Sequence, residues 1–133
     1  MFFKKEEIKS FDAVTLRLSG MRFTCEYEII NNGDMADISR YDIRYIEKGE
    51  TRVPTGTVKV PVEEMIRMLN SCNVIRWDGF FGSHPKGVKD GIMFRFSARI
   101  NGKEIKADGS ENFPKGFREF QAYIQDSMRG QEE

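Results

Sequence analysis

The sequence has little of what the common catalytic and metal sites require. It contains one histidine, His84, and two cysteines, Cys25 and Cys72, which lie too far apart to form a Cys-x-x-Cys pair. Zinc ribbons and thioredoxin-like redox sites need such closely spaced thiols. The sequence therefore predicts no metal site, no cofactor and no catalytic residues, and we expect both cysteines to be small buried apolar residues.

The chain also lacks an excess of charge and long apolar segments. Its 21 Lys and Arg residues balance 21 Asp and Glu residues, so no net field attracts a polyanion, which argues against nucleic acid as a partner. No apolar run approaches the roughly 20 residues that a bilayer requires. Charges follow Phe2 and Phe3 directly, where a secretory signal would continue as an apolar stretch. We therefore expect a cytoplasmic protein that does not associate with membranes.

What the sequence does contain is apolar residues in regular patterns, 11 phenylalanines among them. Alternation with period two predicts a strand over 13–19 and a second over 21–29, with Phe23 facing the core. A third strand is expected around 40–45, with Tyr41, Ile43 and Tyr45 facing inward. Residues 55–60 read as a weaker strand at a sheet edge, because Pro54 and Gly56 flank or interrupt it.

The strongest local signal is Asn101-Gly102 between two alternating segments. Asn-Gly favours a two-residue type I′ turn, which places residue 100 opposite 103. That register sets Phe96 opposite Ala107 on one face. On the other face it sets Arg95 opposite Asp108 and Arg99 opposite Glu104, so both charged pairs have complementary sign.

Two helices complete the pattern. The first is expected to begin at Pro61 and to fade near residues 70–73, with Val62, Met65, Ile66 and Leu69 on its apolar face. The second is expected to begin at Pro114, with Ser110 or Asn112 as its cap. Its apolar stripe consists of Phe113, Phe117, Phe120, Ile124 and Met128.

These elements predict an α+β fold, with an antiparallel sheet of about five or six strands and two helices packed on one face. The charged side chains of the strands then lie on a hydrated second face. We expect a single domain over 1–133, with residues 1–10 and 129–133 frayed.

The glycine-rich segment 78–91 is the place where a site is expected. His84 lies near Asp78 and Asp90, either of which could orient its ring, and Lys86 and Lys89 could hold an anion. The glycine spacing does not match a phosphate-binding Walker loop. The residues proposed to bind a ligand are Trp77, Asp78, His84, Lys86, Lys89 and Arg118. Phe81, without an assigned place in the core, is the loop residue most open to a partner.

Two segments resemble a set of small, uncharacterised proteins from gut and other anaerobic Firmicutes. The first combines the turn Trp77-Asp78-Gly79-Phe80 with the aromatic Asn-Gly hairpin. The second is the helix start Gly109-Ser110-Glu111-Asn112-Phe113-Pro114. The resemblance covers about residues 61–128 and implies a bacterial source. It implies no activity, because none is established for those proteins.

Function is therefore predicted from the surface. The leading hypothesis is a non-enzymatic binding or protein-interaction module, because a charged sheet face and a long loop offer surface for recognition. Its partner would be a protein or a small molecule, and the chain itself a monomer or weak homodimer. The alternative is a small enzyme that uses His84 with Asp78 or Asp90, and Lys86 or Lys89 to hold an anion.

Overall fold

The computed structural model describes residues 6–130, which form an α+β fold. The strands are β1 Phe11–Ser19, β2 Thr24–Asn31, β3 Met35–Ile46, β4 Gly49–Pro61, β5 Phe81–Gly82, β6 Met93–Ile100 and β7 Lys103–Ser110. The helices are α1 Val62–Ser71, a 3₁₀ turn at Val74–Trp77, and α2 Phe117–Arg129.

Within residues 6–130 the strands form one sheet in the order β4-β3-β2-β1-β6-β7-β5. All neighbours are antiparallel except β5, which pairs in parallel with β7 at Asp108 and Gly109. The predicted class is thus confirmed, but the expectation of five or six antiparallel strands is wrong, since the sheet has seven and is mixed. The additional strand is two residues long, too short to show a periodic pattern in the sequence.

The β6–β7 hairpin has the register that the Asn-Gly turn predicts. Phe96 lies opposite Ala107, Arg95 opposite Asp108 and Arg99 opposite Glu104. Asn101 and Gly102 have φ values of 52° and 74°, as a type I′ turn requires. The charged pairs are neighbours in register, but the ion pair of Arg99 is made to Asp12, at 3.7 Å.

Both helices pack on the same face of the sheet, over one apolar core. Met65 and Leu69 of α1 and Phe117, Phe120 and Ile124 of α2 are buried, as the predicted stripes require. The other predicted members, Val62, Ile66, Phe113 and Met128, are partly buried against the core, and Phe113 precedes α2. The buried helix residues meet core-facing strand residues in one contiguous cluster, which includes Val14, Leu16, Tyr27, Ile29, Ile38, Phe94, Phe96 and Trp77. Cys25 and Cys72 are buried free thiols, and burial raises the pKa of the Cys72 thiol to about 11.

The second helix begins later than predicted. Residues 114–116 form a separate turn, closed by a hydrogen bond from Phe117 N–H to the Pro114 carbonyl at 3.1 Å, and Gly116 precedes the helix with φ 92°. The predicted caps are wrong because both side chains are used elsewhere. Asn112 donates to the Ser83 carbonyl at 3.2 Å, and Ser110 ends β7 beside His84.

The inward face of β3 is the opposite of the predicted one. Ala36 and Ile38 face the core, whereas Tyr41, Ile43 and Tyr45 lie on the face away from the helices. The apolar alternation predicts the wrong face because the residues that follow Ile38 on the core-facing side of β3 are polar. Arg40 and Asp42 follow Ile38 on that face and form an ion pair at 2.8 Å.

Phe23 was also expected in the core, but 47% of it is exposed. It belongs to the β1–β2 turn, which the hydrogen bond from Gly20 N–H to the Phe23 carbonyl closes at 2.9 Å. Strand β2 begins only at Thr24, so the side chain of Phe23 does not follow the alternation of the strand.

Residues 6–10 are held against the fold rather than frayed. Ile8 is buried, and its backbone N–H and carbonyl both bond the side-chain amide of Asn70, at 2.8 and 2.9 Å. Asn101 accepts from the N–H groups of Lys9 and Ser10 and donates to the Glu7 carbonyl. At the other end Arg129 is the last helical residue. The rest of the two ends that we expected to fray, 1–5 and 131–133, lies outside the described residues.

Replacing Asn101 by glycine is expected to release this segment while keeping the turn, because Gly-Gly also supports type I′ geometry. The variant loses the three side-chain bonds to residues 7–10, so the free energy of unfolding should fall by about 1–2 kcal/mol. Hydrogen exchange tests whether the lost side-chain bonds are the cause. The amides of Lys9 and Ser10 should lose protection from exchange, while the amides of β6 should keep it. Unchanged protection at both amides would contradict the assigned role of Asn101.

Candidate functional site

The face of the sheet opposite the helices is concave. Strand β4 lies three strands from β1, a separation of about 14 Å in a flat sheet. Nevertheless both terminal guanidinium nitrogens of Arg17 on β1 bond the carboxylate oxygens of Glu50 on β4, each at 2.9 Å. A β-bulge between Arg40 and Tyr41 interrupts the β3–β4 ladder, and bulges increase strand twist and bending. The tip of this hairpin therefore turns back over the sheet.

The curled sheet and the loop that contains β5 enclose a groove of about 560 Å³, here called the sheet groove. Its walls come from β1, β6, β7, the β3–β4 hairpin and the glycine-rich loop. The side chains that define it are Arg17, Tyr45, Phe81, His84, Met93 and Arg95. A neighbouring hollow of about 360 Å³ shares Arg17 and Arg95 and extends toward Glu26 and Ser97.

One wall of the sheet groove is apolar and open to solvent. Phe81, Tyr45 and Met93 are 76%, 69% and 57% exposed. Single exposed apolar residues are ordinary on protein surfaces, but several around one concavity are typical of a binding site. The three come from separate elements, the β5 loop, the β3 end and the β6 start, so only the folded chain brings them together.

The charges in the sheet groove are unevenly paired. Arg17 is held by Glu50 and lies 3.7 Å from Glu26, which also pairs with Arg52 at 3.2 Å. Because Arg17 donates to the Glu50 carboxylate, the pKa of Glu50 is lowered and that of Arg17 raised. These residues form a connected ion-pair network along the concave face.

Arg95 lies beside that network without joining it through an ion pair, and its charge contributes to the lowered pKa of Glu50. It lies directly opposite Arg17 across β1 and β6, and opposite Asp108 across β6 and β7, with all three side chains on the groove face. Within residues 6–130 its guanidinium has no ion pair within 4 Å. The sheet groove therefore contains an exposed cation with free donors beside a second cation whose donors are occupied.

His84 lies at one end of the sheet groove, where both ring nitrogens have partners. Nε2 bonds the Val88 carbonyl, and Nδ1 lies 2.7 Å from Ser110 Oγ. Since a carbonyl only accepts, Nε2 carries the hydrogen, and in the neutral ring Nδ1 accepts from the Ser110 hydroxyl. Asp78, one of the two proposed orienting acids, instead accepts from the Lys106 N–H at 3.0 Å. His84 is thus oriented by a serine and a backbone carbonyl.

Trp77 is part of the core and not of a binding surface. It is 1% exposed, and its indole N–H donates to the Lys115 carbonyl at 2.9 Å. Its ring packs against Phe96, Phe117 and Phe120 at centroid distances of 4.9, 5.8 and 5.8 Å. The side chain is enclosed beneath the helices and does not line the sheet groove.

The other proposed residues are not brought together at one place. Lys86, Lys89 and Asp90 are exposed in the glycine-rich loop, and Arg118 is exposed on α2, on the helix side of the sheet. Of the six proposed ligand-binding residues, His84 is the one that lines the sheet groove, and Phe81 lines it as well. Arg17, Tyr45, Met93 and Arg95 also line the sheet groove and are not among the predicted site residues. A signal for the two arginines was present, because strand alternation already places both on the face away from the core.

The comparisons with known proteins identify no relative. No protein-family model matches the sequence, and the comparisons with curated proteins and with solved structures found no match. Among residues 6–130, no group of three or more His, Cys, Asp and Glu side chains is placed to hold a metal ion. No helix of the same residues is long and apolar enough to cross a bilayer. The interpretation of function therefore depends on the sheet groove itself.

Proposed function

We propose that the protein is a non-enzymatic binding module that holds its ligand in the sheet groove. One observation carries the proposal: an exposed aromatic and apolar wall and an unpaired guanidinium line the same concavity. Tyr45, Phe81 and Met93 supply the wall and Arg95 the charge. The volume of about 560 Å³ lies within the range of small-molecule sites, which combine apolar walls with a few polar groups.

The exposed wall gives an energetic reason for an occupant. Apolar surface removed from water contributes about 25 cal/mol per Å². A ligand that covers the rings of Tyr45 and Phe81 would gain this term without the protein having to open its core. The sheet beneath is fixed by continuous pairing from β4 to β7, so the wall is largely formed before the ligand arrives, which lowers the entropic cost of binding.

The contacts of His84 favour binding over the alternative of a small enzyme. In the proposed enzyme Asp78 or Asp90 would have to orient the ring of His84. Among residues 6–130 no carboxylate contacts that ring, since its nitrogens bond Ser110 and the Val88 carbonyl, and the Asp78 carboxylate accepts from a backbone amide. His84, Asp78, Lys86 and Lys89 do not converge on one cavity. The resemblance to the Firmicutes proteins, the bacterial source and the cytoplasmic location stay predictions.

A fragment screen on protein labelled at its methionine methyl groups tests this proposal. Met93 lines the sheet groove, whereas Met65 lies in the core and serves as an internal reference. We expect hits from a library of acidic, neutral and basic aromatic fragments to shift the Met93 methyl and to leave Met65 unmoved. Replacing Phe81 by alanine should weaken those hits, and the matched control Phe23→Ala, on the exposed β1–β2 turn, should not. A screen that gives no hit at Met93, or hits insensitive to Phe81→Ala, would overturn the proposal.

A further inference from the structure

We infer that the sheet groove takes a ligand in which an oxyanion, a carboxylate or phosphate, is attached to an apolar body. Arg95 binds the oxyanion, and the wall of Tyr45, Phe81 and Met93 covers the apolar body. This inference rests on the proposed function and adds to it the chemical class of the ligand. A planar guanidinium with free donors matches the geometry of both oxyanions.

The position of Arg95 supplies the first argument. Like charges directly opposite each other in a sheet destabilise it, and Arg95 lies opposite Arg17 on the groove face. Arg17 is neutralised by Glu50 at 2.9 Å, but within residues 6–130 Arg95 has no carboxylate within 4 Å. An oxyanion on Arg95 would give this arginine the direct ion pair that Arg17 has with Glu50.

The Glu50 carboxylate supplies the second argument, because it shows that this part of the concave face stabilises an ionised carboxylate. This carboxylate belongs to the tip of the β3–β4 hairpin and accepts two hydrogen bonds of 2.9 Å from Arg17. Its pKa is lowered, first by the bond from Arg17 and additionally by the charge of Arg95. A carboxylate of the chain itself thus already occupies the donors of one arginine, and the neighbouring arginine presents the same group unoccupied.

The surroundings of Arg95 supply the third argument. The apolar side chains Tyr45, Phe81 and Met93 line the same groove as Arg95. A small inorganic ion would leave these side chains uncovered, whereas an oxyanion with an aromatic or branched apolar body would contact both parts. Asp108 lies on the opposite side of Arg95 from Arg17, so its negative charge would repel any anion bound at Arg95.

Four matched compounds distinguish the ligand classes: benzoate, phenyl phosphate, benzyl alcohol and benzylamine. They are titrated into the full chain, and affinity is read from the Met93 methyl and from the side-chain Nε–H signal of Arg95. We expect benzoate or phenyl phosphate to bind at least tenfold more tightly than benzyl alcohol, and benzylamine to bind no better than the alcohol. Which of the two anions binds more tightly tells carboxylate from phosphate ligands, and either order supports the inference.

Variants with opposite expected effects exclude a general loss of folding. Arg95→Met should weaken the better anion about tenfold or more, because a charged hydrogen-bond partner is lost. Asp108→Asn should strengthen it about two- to threefold, because a repelling negative charge is removed. The control Arg99→Met lies on the same strand and face, where Arg99 pairs with Asp12, and should change the affinity less than twofold.

The outcomes separate this inference from the proposed function. If the alcohol or the amine binds at Met93 as tightly as the anions, and Arg95→Met changes nothing, the oxyanion inference is wrong while the groove remains the binding site. If none of the four compounds nor any fragment of the screen shifts Met93, both are wrong. A weaker anion affinity in Asp108→Asn would also count against Arg95 as the anchor.

Discussion

Replacing Gly116 by alanine is expected to lower the free energy of unfolding by about 3 kcal/mol or more, a large part of the total stability of a domain. Gly116 precedes α2 with φ 92°, a backbone conformation that favours glycine. A Cβ at this position would lie 2.2 Å from the Cys72 carbonyl oxygen at the end of α1. The obstacle is backbone, so no side-chain rotation relieves it, and the two helices would have to separate.

Gly87→Ala is the matched control for that substitution. Gly87 has a similar φ of 83°, but a Cβ there would meet nothing within 4 Å. Gly87→Ala should therefore lower the free energy of unfolding only by the cost of the positive φ, about 1 kcal/mol. Thermal or chemical denaturation of both variants measures the difference. Equal destabilisation by the two substitutions would show that close packing of Gly116 against Cys72 does not limit stability.

Replacing Trp77 by alanine should cost about 3–5 kcal/mol, the range for removing a large buried aromatic side chain. Trp77 is 1% exposed and contacts three phenylalanine rings that join the sheet to α2. The substitution also leaves the Lys115 carbonyl without the indole N–H at 2.9 Å. The free energy of unfolding of Trp77→Phe should lie between those of the native protein and Trp77→Ala, because phenylalanine keeps a ring and loses that hydrogen bond.

Fluorescence separates this structural role from a binding role. Trp77 is the chain's single tryptophan, so emission reports on it alone. In the native protein the emission should be blue-shifted and resistant to quenching by acrylamide, and ligands of the sheet groove should leave it unchanged. The control Phe81→Ala removes an exposed ring and should change stability by less than about 0.5 kcal/mol. A quenchable, ligand-sensitive Trp77 would contradict its place in the core.

The parts of the fold that could be predicted are those whose information is local. The Asn101-Gly102 turn and the alternation on either side determine the β6–β7 register, because turn type and period act over neighbouring residues. The apolar stripes of both helices follow from the same local periodicity. The requirement for glycine at position 116 could not be predicted in this way. Gly116 has a positive φ and packs against the backbone of Cys72, which is distant in sequence.

The parts that could not be predicted depend on contacts between distant segments. The face of β3 was assigned from Tyr41, Ile43 and Tyr45, yet the pairing with β2 sets the opposite orientation. The curl of the sheet depends on a bulge in β3–β4 and on the Arg17–Glu50 pair. Neither leaves a periodic trace in the sequence, since a bulge is one extra residue in a long ladder.

The candidate site was missed for the same reason. The sequence predicts a site in the glycine-rich loop because this loop contains the single histidine and two lysines. The structure places His84 and Phe81 of that loop in the sheet groove. Other lining residues, Arg17, Tyr45, Met93 and Arg95, come from strands whose polar faces the sequence predicts only to be hydrated. Arg17 and Arg95 share a face by simple alternation, but only the strand order β1 beside β6 makes them neighbours.

The most direct test of the account is a crystal structure of the protein with benzoate or phenyl phosphate bound. We expect the oxyanion within hydrogen-bond distance of the Arg95 guanidinium, with the ring against Tyr45, Phe81 or Met93. Glu50 should remain on Arg17. An anion bound instead at Lys86 and Lys89, or at Arg118 on the helix side, with the sheet groove occupied by water alone, would contradict it.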